Sequence, residues 1–201
     1  MSESRDGLDG ERASDVRHRT ANTLQLLATL ARMRGQKASD LEARRQMLWM
    51  AETIGALGSL ERRRSPEGID FSGYIEEMAP VWRRRQAGQP VEVLVSVDPL
   101  HVRDQAAPTL ALILNELVSN ALTHGLQGAA VLRIQVALVA KEGLARLSVT
   151  DGGLGLRLGG GEAQDQFGLW LVRSLTGQVR GELALLPAPG RGLIAQLEFP
   201  I

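Results

Sequence analysis

Three short segments hold side chains whose types and spacing can do chemistry together. They are Asn115-Glu116-Leu117-Val118-Ser119-Asn120-Ala121, then Asp151-Gly152-Gly153-Leu154-Gly155, then Phe167-Gly168-Leu169. Glu116 and Asn120 are four residues apart, so on a helix they share one face. An amide oxygen there suits Mg²⁺, which takes oxygen ligands and keeps several waters. Asp151 follows an alternating stretch, which puts its carboxylate at a strand end, able to accept a hydrogen bond from the exocyclic amine of adenine. Gly153 and Gly155 let the backbone approach a ligand closely. Gly168 opens a predicted helix, where unpaired N–H groups and the helix dipole favour phosphate. Each feature is modest alone; in this order and on these elements they read as an ATP site.

A fourth residue extends the chemistry. The pattern from Ser14 to Arg34 is helical, and at about 100° per residue Val16, Thr23, Leu27 and Leu30 cluster on one side. His18 falls opposite, beside Asn22, Gln25 and Thr29, and is therefore expected to be exposed. On placement alone this is an ordinary surface histidine. A neutral imidazole, however, offers a ring nitrogen that can attack a phosphoryl group without a strong base. Asp15, about one turn earlier, is within reach of the other ring nitrogen, to fix its tautomer or accept a proton.

These residues need elements to hold them. Residues 1–13 are polar and are expected to fray. The first helix is capped by Ser14 or Asp15 and ended by Gly35, with Gly35-Gln36-Lys37 as a tight turn. A second helix, capped by Ser39 or Asp40, runs to about Arg64, making an antiparallel hairpin over 14–65. Ser65-Pro66-Glu67-Gly68 reads as a linker. Beyond it, 66–201 predicts a helix over 71–87, a strand over 91–97, a helix over 104–126, strands over 130–140 and 144–150, and a mobile Gly-rich stretch over 152–166. A short helix over 168–176 and strands over 182–186 and 193–199 complete it. That order implies an α+β sandwich with helices on one side of a sheet.

The 201 residues suit one ordinary domain plus a small module, and net charge is zero, so bulk electrostatics give no case for nucleic acid. Two arginine triplets, at 62–64 and 83–85, read as solvated helix ends or as a docking patch for an acidic partner. The absence of cysteine excludes disulfides and thiolate metal sites and fits a reducing compartment. No signal peptide is visible, and no apolar run reaches the roughly 18 residues that would cross a bilayer. A cytoplasmic protein without membrane contact is expected.

With those residues in place, the chain resembles the two-component sensor histidine kinases of the HWE and HisKA-related group, within the GHKL (Bergerat-fold) ATPases. Asp15 to Gln25 looks like their acceptor helix, and Leu114 to Ala121 with His124 like their N box. Asp151 to Gly155 looks like their G1 box, and Gly168-Leu169 like a shortened G2 box. The resemblance runs from about residue 14 to the C-terminus and leaves no room for a sensor domain. It implies that the 14–65 hairpin dimerises into a four-helix bundle and carries His18 as phosphoacceptor, assisted by Asp15. It implies that 66–201 is a catalytic domain binding ATP and Mg²⁺. Asn120 would be the metal ligand, with Asn115, Glu116 and His124 lining the metal and phosphate side. Asp151 would hold adenine, and Gly153, Gly155, Gly168 and Leu169 would shape the lid and phosphate site. Phosphate would pass to an aspartate on a response-regulator receiver domain, with input from a separate sensor protein.

This chain departs from the family pattern in four places. Ala21 and Thr123 stand where the family usually has lysine, the Trp-x-Glu signature is missing near Asp151, and the lid over 156–166 is short and Gly-rich. Two other readings follow. One is a histidine phosphotransferase with a degenerate nucleotide domain, shuttling phosphate between receivers. The other is an anti-sigma-type GHKL serine kinase or binding module, against which the His18 hairpin argues.

Overall fold

The computed structural model describes the backbone of residues 3–84, 90–125, 131–153, 163–189 and 191–201. It divides into two compact units, residues 1–69 and 70–201.

The first unit is a helical hairpin of α1 (Glu3–Lys37) and α2 (Leu41–Arg62). Asp40 caps α2, its carboxylate accepting the Ala43 N–H at 2.7 Å. The seam differs from the apolar stripe expected on α1. Ala21, Ala28 and Gly35 are buried and Leu24 and Ala31 half-buried, a 3-4-3-4 spacing, while Val16, Leu27 and Leu30 stay exposed. Small residues win the seam because the helices approach closely. A Cβ on Gly58 would lie 3.4 Å from Leu24 Cβ, and one on Gly55 would lie 3.9 Å from Ala28 Cβ. Gly35 is likewise not a cap: it sits inside α1, and a Cβ there would stand 3.0 Å from Met47 Cβ.

Helix α1 begins at Glu3, inside the segment expected to fray. The expected linker is a tight hairpin instead. Strand β1 (Arg64–Ser65) pairs antiparallel with β2 (Gly68–Asp70) around Pro66-Glu67, and Gly68 takes φ 114°.

The second unit is an α+β sandwich. It contains α3 (Phe71–Arg83), β3 (Val91–Val97), β4 (His101–Val102), α4 (Ala107–His124), β5 (Leu132–Lys141) and β6 (Leu144–Asp151). Helix α5 (Ala163–Thr176), a 3₁₀ turn, β7 (Glu182–Pro187) and β8 (Leu193–Pro200) follow. Five strands form one sheet in the order β3-β5-β6-β8-β7. Strand β3 runs parallel to β5, and the other neighbours are antiparallel. Glu142 (φ 53°) and Gly143 (φ 82°) make the two-residue turn between β5 and β6, as the primed turns of hairpins require.

Period-2 alternation decides which face is buried. Leu132, Ile134, Val136 and Leu138 of β5, Ala145, Leu147 and Val149 of β6, and Ala195, Leu197 and Phe199 of β8 are all buried. The opposite face carries ion pairs, Arg133 with Glu92 at 2.7 Å and Arg146 with Glu198 at 2.6 Å. Helices therefore cover one side, supplying Phe71, Tyr74, Ile75 and Trp82 from α3 and Leu110, Ile113, Leu114 and Leu117 from α4. Both arginine triplets are partly absorbed structurally: Arg64 forks onto Glu61 at 2.8 and 3.1 Å, and Arg83 donates to the Val93 carbonyl at 2.7 Å. Among the described residues no helix is long and apolar enough to cross a membrane.

Candidate nucleotide site and acceptor histidine

The alternation that builds the core also fixes Asp151. It ends β6 in phase with Leu147 and Val149, so its side chain is directed to the buried face and its exposure is only 8%. A carboxylate there must be hydrogen-bonded, and its Oδ1 accepts the Gly153 N–H at 2.8 Å. Glycines crowd it. A Cβ on Gly125, just past α4, would lie 3.3 Å from Asp151 Cβ. A Cβ on Gly192, just before β8, would overlap the Asp151 carbonyl oxygen. Sequence reasoning passed over both glycines; the available signal was a glycine directly before an alternating strand and another directly after a long helix.

Helix α4 supplies the second cluster. Asn115 and Glu116 are buried and Asn120 is half-buried, although all three are polar. Glu116 and Asn120 meet at Gly168. A Cβ on Gly168 would stand 3.2 Å from Glu116 Oε2 and 3.4 Å from Asn120 Oδ1. The structure thus brings Gly168 to Glu116 and Asn120, far from it in sequence. Gly168 does not open its helix as expected, because α5 begins at Ala163. Its amide therefore lies where N–H groups serve the helix ladder, and the helix-terminus argument for phosphate does not apply to it. Ala163-Gln164-Asp165-Gln166 continue a helix readily, and glycine at 168 is explained by the close approach to Glu116. Leu169 is half-buried beside it in sequence. The side chain of His124, all of Gly155 and residues 156–162 of the lid expected over 156–166 lie outside the described residues, and 163–166 of that lid begin α5.

The donor set can be tested against Mg²⁺. A carboxylate oxygen and an amide oxygen converging on one point are hard oxygen ligands of the kind that ion takes. Among the described residues no group of three or more His, Cys, Asp or Glu side chains could hold a metal ion. That combination fits an ion completed by nucleotide phosphates and water.

In the hairpin unit His18 is exposed, as expected. Asp15 is not committed to it: its carboxylate pairs with Arg19 at 2.8 Å, both side chains well exposed. The i,i+4 spacing makes that pairing natural on a helix. An open groove of about 300 Å³, lined by Val16, Arg19, Thr20, Thr23 and Leu24, runs along the same stretch of α1. Ala21 is a seam residue at 3% exposure, so a lysine at this position would have to leave the helix–helix contact. Thr123 is exposed, with its hydroxyl donating to the Ser119 carbonyl at 2.9 Å.

A hairpin followed by this helix-covered five-stranded sheet is the fold of a histidine kinase core. The histidine kinase domain of the blue-light activated histidine kinase from Erythrobacter litoralis EL346 superposes with a TM-score of 0.68 at 20% identity, covering 94% of both chains. The catalytic domain of histidine kinase ThkA matches 66% of this chain and 92% of its own, with a TM-score of 0.55 at 15% identity. In sequence the chain is similar to sensor histidine kinase PdtaS of Mycobacterium tuberculosis, 28% identical over 196 residues, and to PdtaS of Mycolicibacterium smegmatis, 27% identical over 195. Those matches span 93% of this chain and 39% of each relative, so the chain is much shorter than the curated proteins it resembles. No protein-family model matches.

Proposed function

We propose that the chain is an ATP-dependent histidine autokinase whose phosphoryl group passes from His18 to an aspartate of a response-regulator receiver domain. The observation that carries this reading is the convergence of Glu116 and Asn120 on Gly168, in a domain of histidine kinase catalytic fold that also buries Asp151 at a strand end. Asp151 accepts the exocyclic amine of adenine, and Asn120, with Glu116 and Asn115 beside it, holds Mg²⁺ against the phosphates. Mg-ATP supplies an electrophilic γ-phosphorus with its leaving-group charge neutralised. A ring nitrogen of His18 attacks that phosphorus, the bond to the β,γ-bridging oxygen breaks, ADP departs, and the imidazole proton is released to solvent. Exposure of His18 serves both steps, since donor and acceptor aspartate must reach the same nitrogen.

The hairpin is the dimerisation and histidine-phosphotransfer module in this reading. Its seam consumes small residues and leaves Val16, Leu26, Leu27, Leu30 and Met33 of α1 and Met47 and Met50 of α2 exposed, a face suited to a second copy. Input arrives from a sensor region or a separate protein.

The two missing lysines are among the features that favour the phosphotransferase reading. The seam position of Ala21 removes one of them as an indicator, because that residue packs between helices. Calorimetric titration with Mg-ATP separates the readings. The autokinase predicts micromolar to sub-millimolar binding that Asp151→Ala weakens at least about tenfold, and no binding at millimolar ATP contradicts it.

A further inference from the structure

We infer that Gly192 is a positioning residue for the Asp151 carboxylate, with Gly125 supporting it from the other side, and that the two set the base preference of the nucleotide pocket. This rests on Asp151 being the residue that holds adenine. The β6–β8 register pairs Thr150 with Ile194, and two residues further along it sets Gly192 across from Gly152, beside Asp151. Gly192 is buried with φ 111°, a left-handed-side conformation that L side chains rarely adopt. A Cβ there would overlap the Asp151 carbonyl oxygen, and it would lie 2.8 Å from the carbonyl carbon and 3.1 Å from Gly152 Cα. Ordinary carbon–oxygen approaches are about 3.3 Å or more. Every atom in the way is backbone, so no side-chain rotation relieves the overlap. The Gly192 carbonyl also accepts the Ala188 N–H at 3.1 Å, tying its loop down, so the strand end carrying Asp151 would have to give.

Gly125 closes the opposite side. A Cβ there would meet Leu132 Cδ1 and the Ala121 carbonyl oxygen at 2.5 Å each, and Asp151 Cβ at 3.3 Å. The carboxylate tip is set by the Gly153 N–H. The main chain, side-chain root and tip of Asp151 are thus each defined by a glycine. Adenine presents an amine donor where guanine presents a carbonyl acceptor. A fixed carboxylate accepts from the first and repels the second, and a displacement of about 1 Å can cost about 100-fold. Base discrimination is therefore the property most sensitive to Gly192.

The test compares dissociation constants of Mg-ATP and Mg-GTP, below the melting temperature of each variant, for wild type, Asp151→Ala, Gly192→Ala, Gly125→Ala and Gly143→Ala. Gly143 also has positive φ (82°), but nothing lies within 4 Å of its added Cβ, so it carries the backbone strain without the contact. We expect wild type to prefer ATP by about tenfold or more, Asp151→Ala to lose that preference, and Gly192→Ala to lose most of it. Gly143→Ala should keep it. Should Gly192→Ala fail to fold, Gly125→Ala carries the test, because one of its two nearest contacts, Leu132 Cδ1, is a flexible side-chain end and its φ is not in the left-handed region. A wild-type ATP preference in the folded Gly192→Ala protein, or in Gly125→Ala where only that folds, overturns the inference while Asp151→Ala upholds the adenine reading. Loss of preference in Gly143→Ala as well also overturns it, as general destabilisation. An unchanged preference in Asp151→Ala overturns the adenine reading and the inference with it.

Discussion

At residue scale the site depends on polar groups held where the core's own periodicity would bury an apolar side chain. Asp151 takes a buried position in phase with Leu147 and Val149, and Glu116 is 5% exposed on a helix otherwise packed with leucine, isoleucine and valine. Such groups cost stability unless they are hydrogen-bonded. Asp151→Ala should therefore weaken Mg-ATP binding at least about tenfold while changing the melting temperature little or upward, because a buried carboxylate is removed together with its function. Titration calorimetry beside thermal melts reads both quantities; a large fall in melting temperature with unchanged affinity would assign Asp151 to structure instead. Thr123 offers the opposite experiment. It is exposed one turn beyond Asn120, so Thr123→Lys needs no repacking and places a cation where the resemblance leads one to expect it. Mg-ATP should bind on the order of fivefold tighter. An unchanged affinity would mean that position 123 does not face the phosphates.

At the scale of elements, the hairpin depends on its cap and on the smallness of its seam. Asp40→Ala removes the acceptor of the Ala43 N–H and should cost about 1 kcal/mol, seen as a lower denaturant midpoint with an unchanged slope. Gly58→Leu should cost more, because a Cβ at 58 already stands 3.4 Å from Leu24 Cβ and 3.5 Å from the Ala21 carbonyl oxygen. A melt of the Gly58→Leu protein indistinguishable from wild type would contradict that seam. These elements also show what the sequence made legible. The strand over 91–97 was readable to the residue, since β-branched alternation has no competing interpretation. The cap of α2 was narrowed to Ser39 or Asp40, and the structure takes Asp40, because capping chemistry is local. Gly35 and Gly168 were misread as helix boundaries because a glycine that ends a helix and one that admits a neighbouring helix look alike in sequence. Only the distances to Met47 and to Glu116 separate the two cases. The α1 stripe was misassigned for a related reason. Periodicity identifies apolar faces, but it cannot say that the tight seam takes the alanines and leaves the leucines outside.

At the scale of the molecule, the candidate groups fall in two compact units, His18 in one and Glu116, Asn120 and Asp151 in the other. The exposed leucines and methionines of the hairpin give assembly its own prediction. The chain should be a dimer at tens of micromolar by light scattering, and Leu27→Glu with Leu30→Glu, both about half exposed in the single chain, should make it monomeric without unfolding it. A monomeric wild type at that concentration would contradict the four-helix arrangement. The most direct test of the central claim is incubation with γ-labelled Mg-ATP, wild type beside His18→Ala. Wild type should carry an acid-labile, base-stable label and His18→Ala none. Equal labelling of the two proteins, or none on wild type under conditions where Mg-ATP is bound, would contradict that claim.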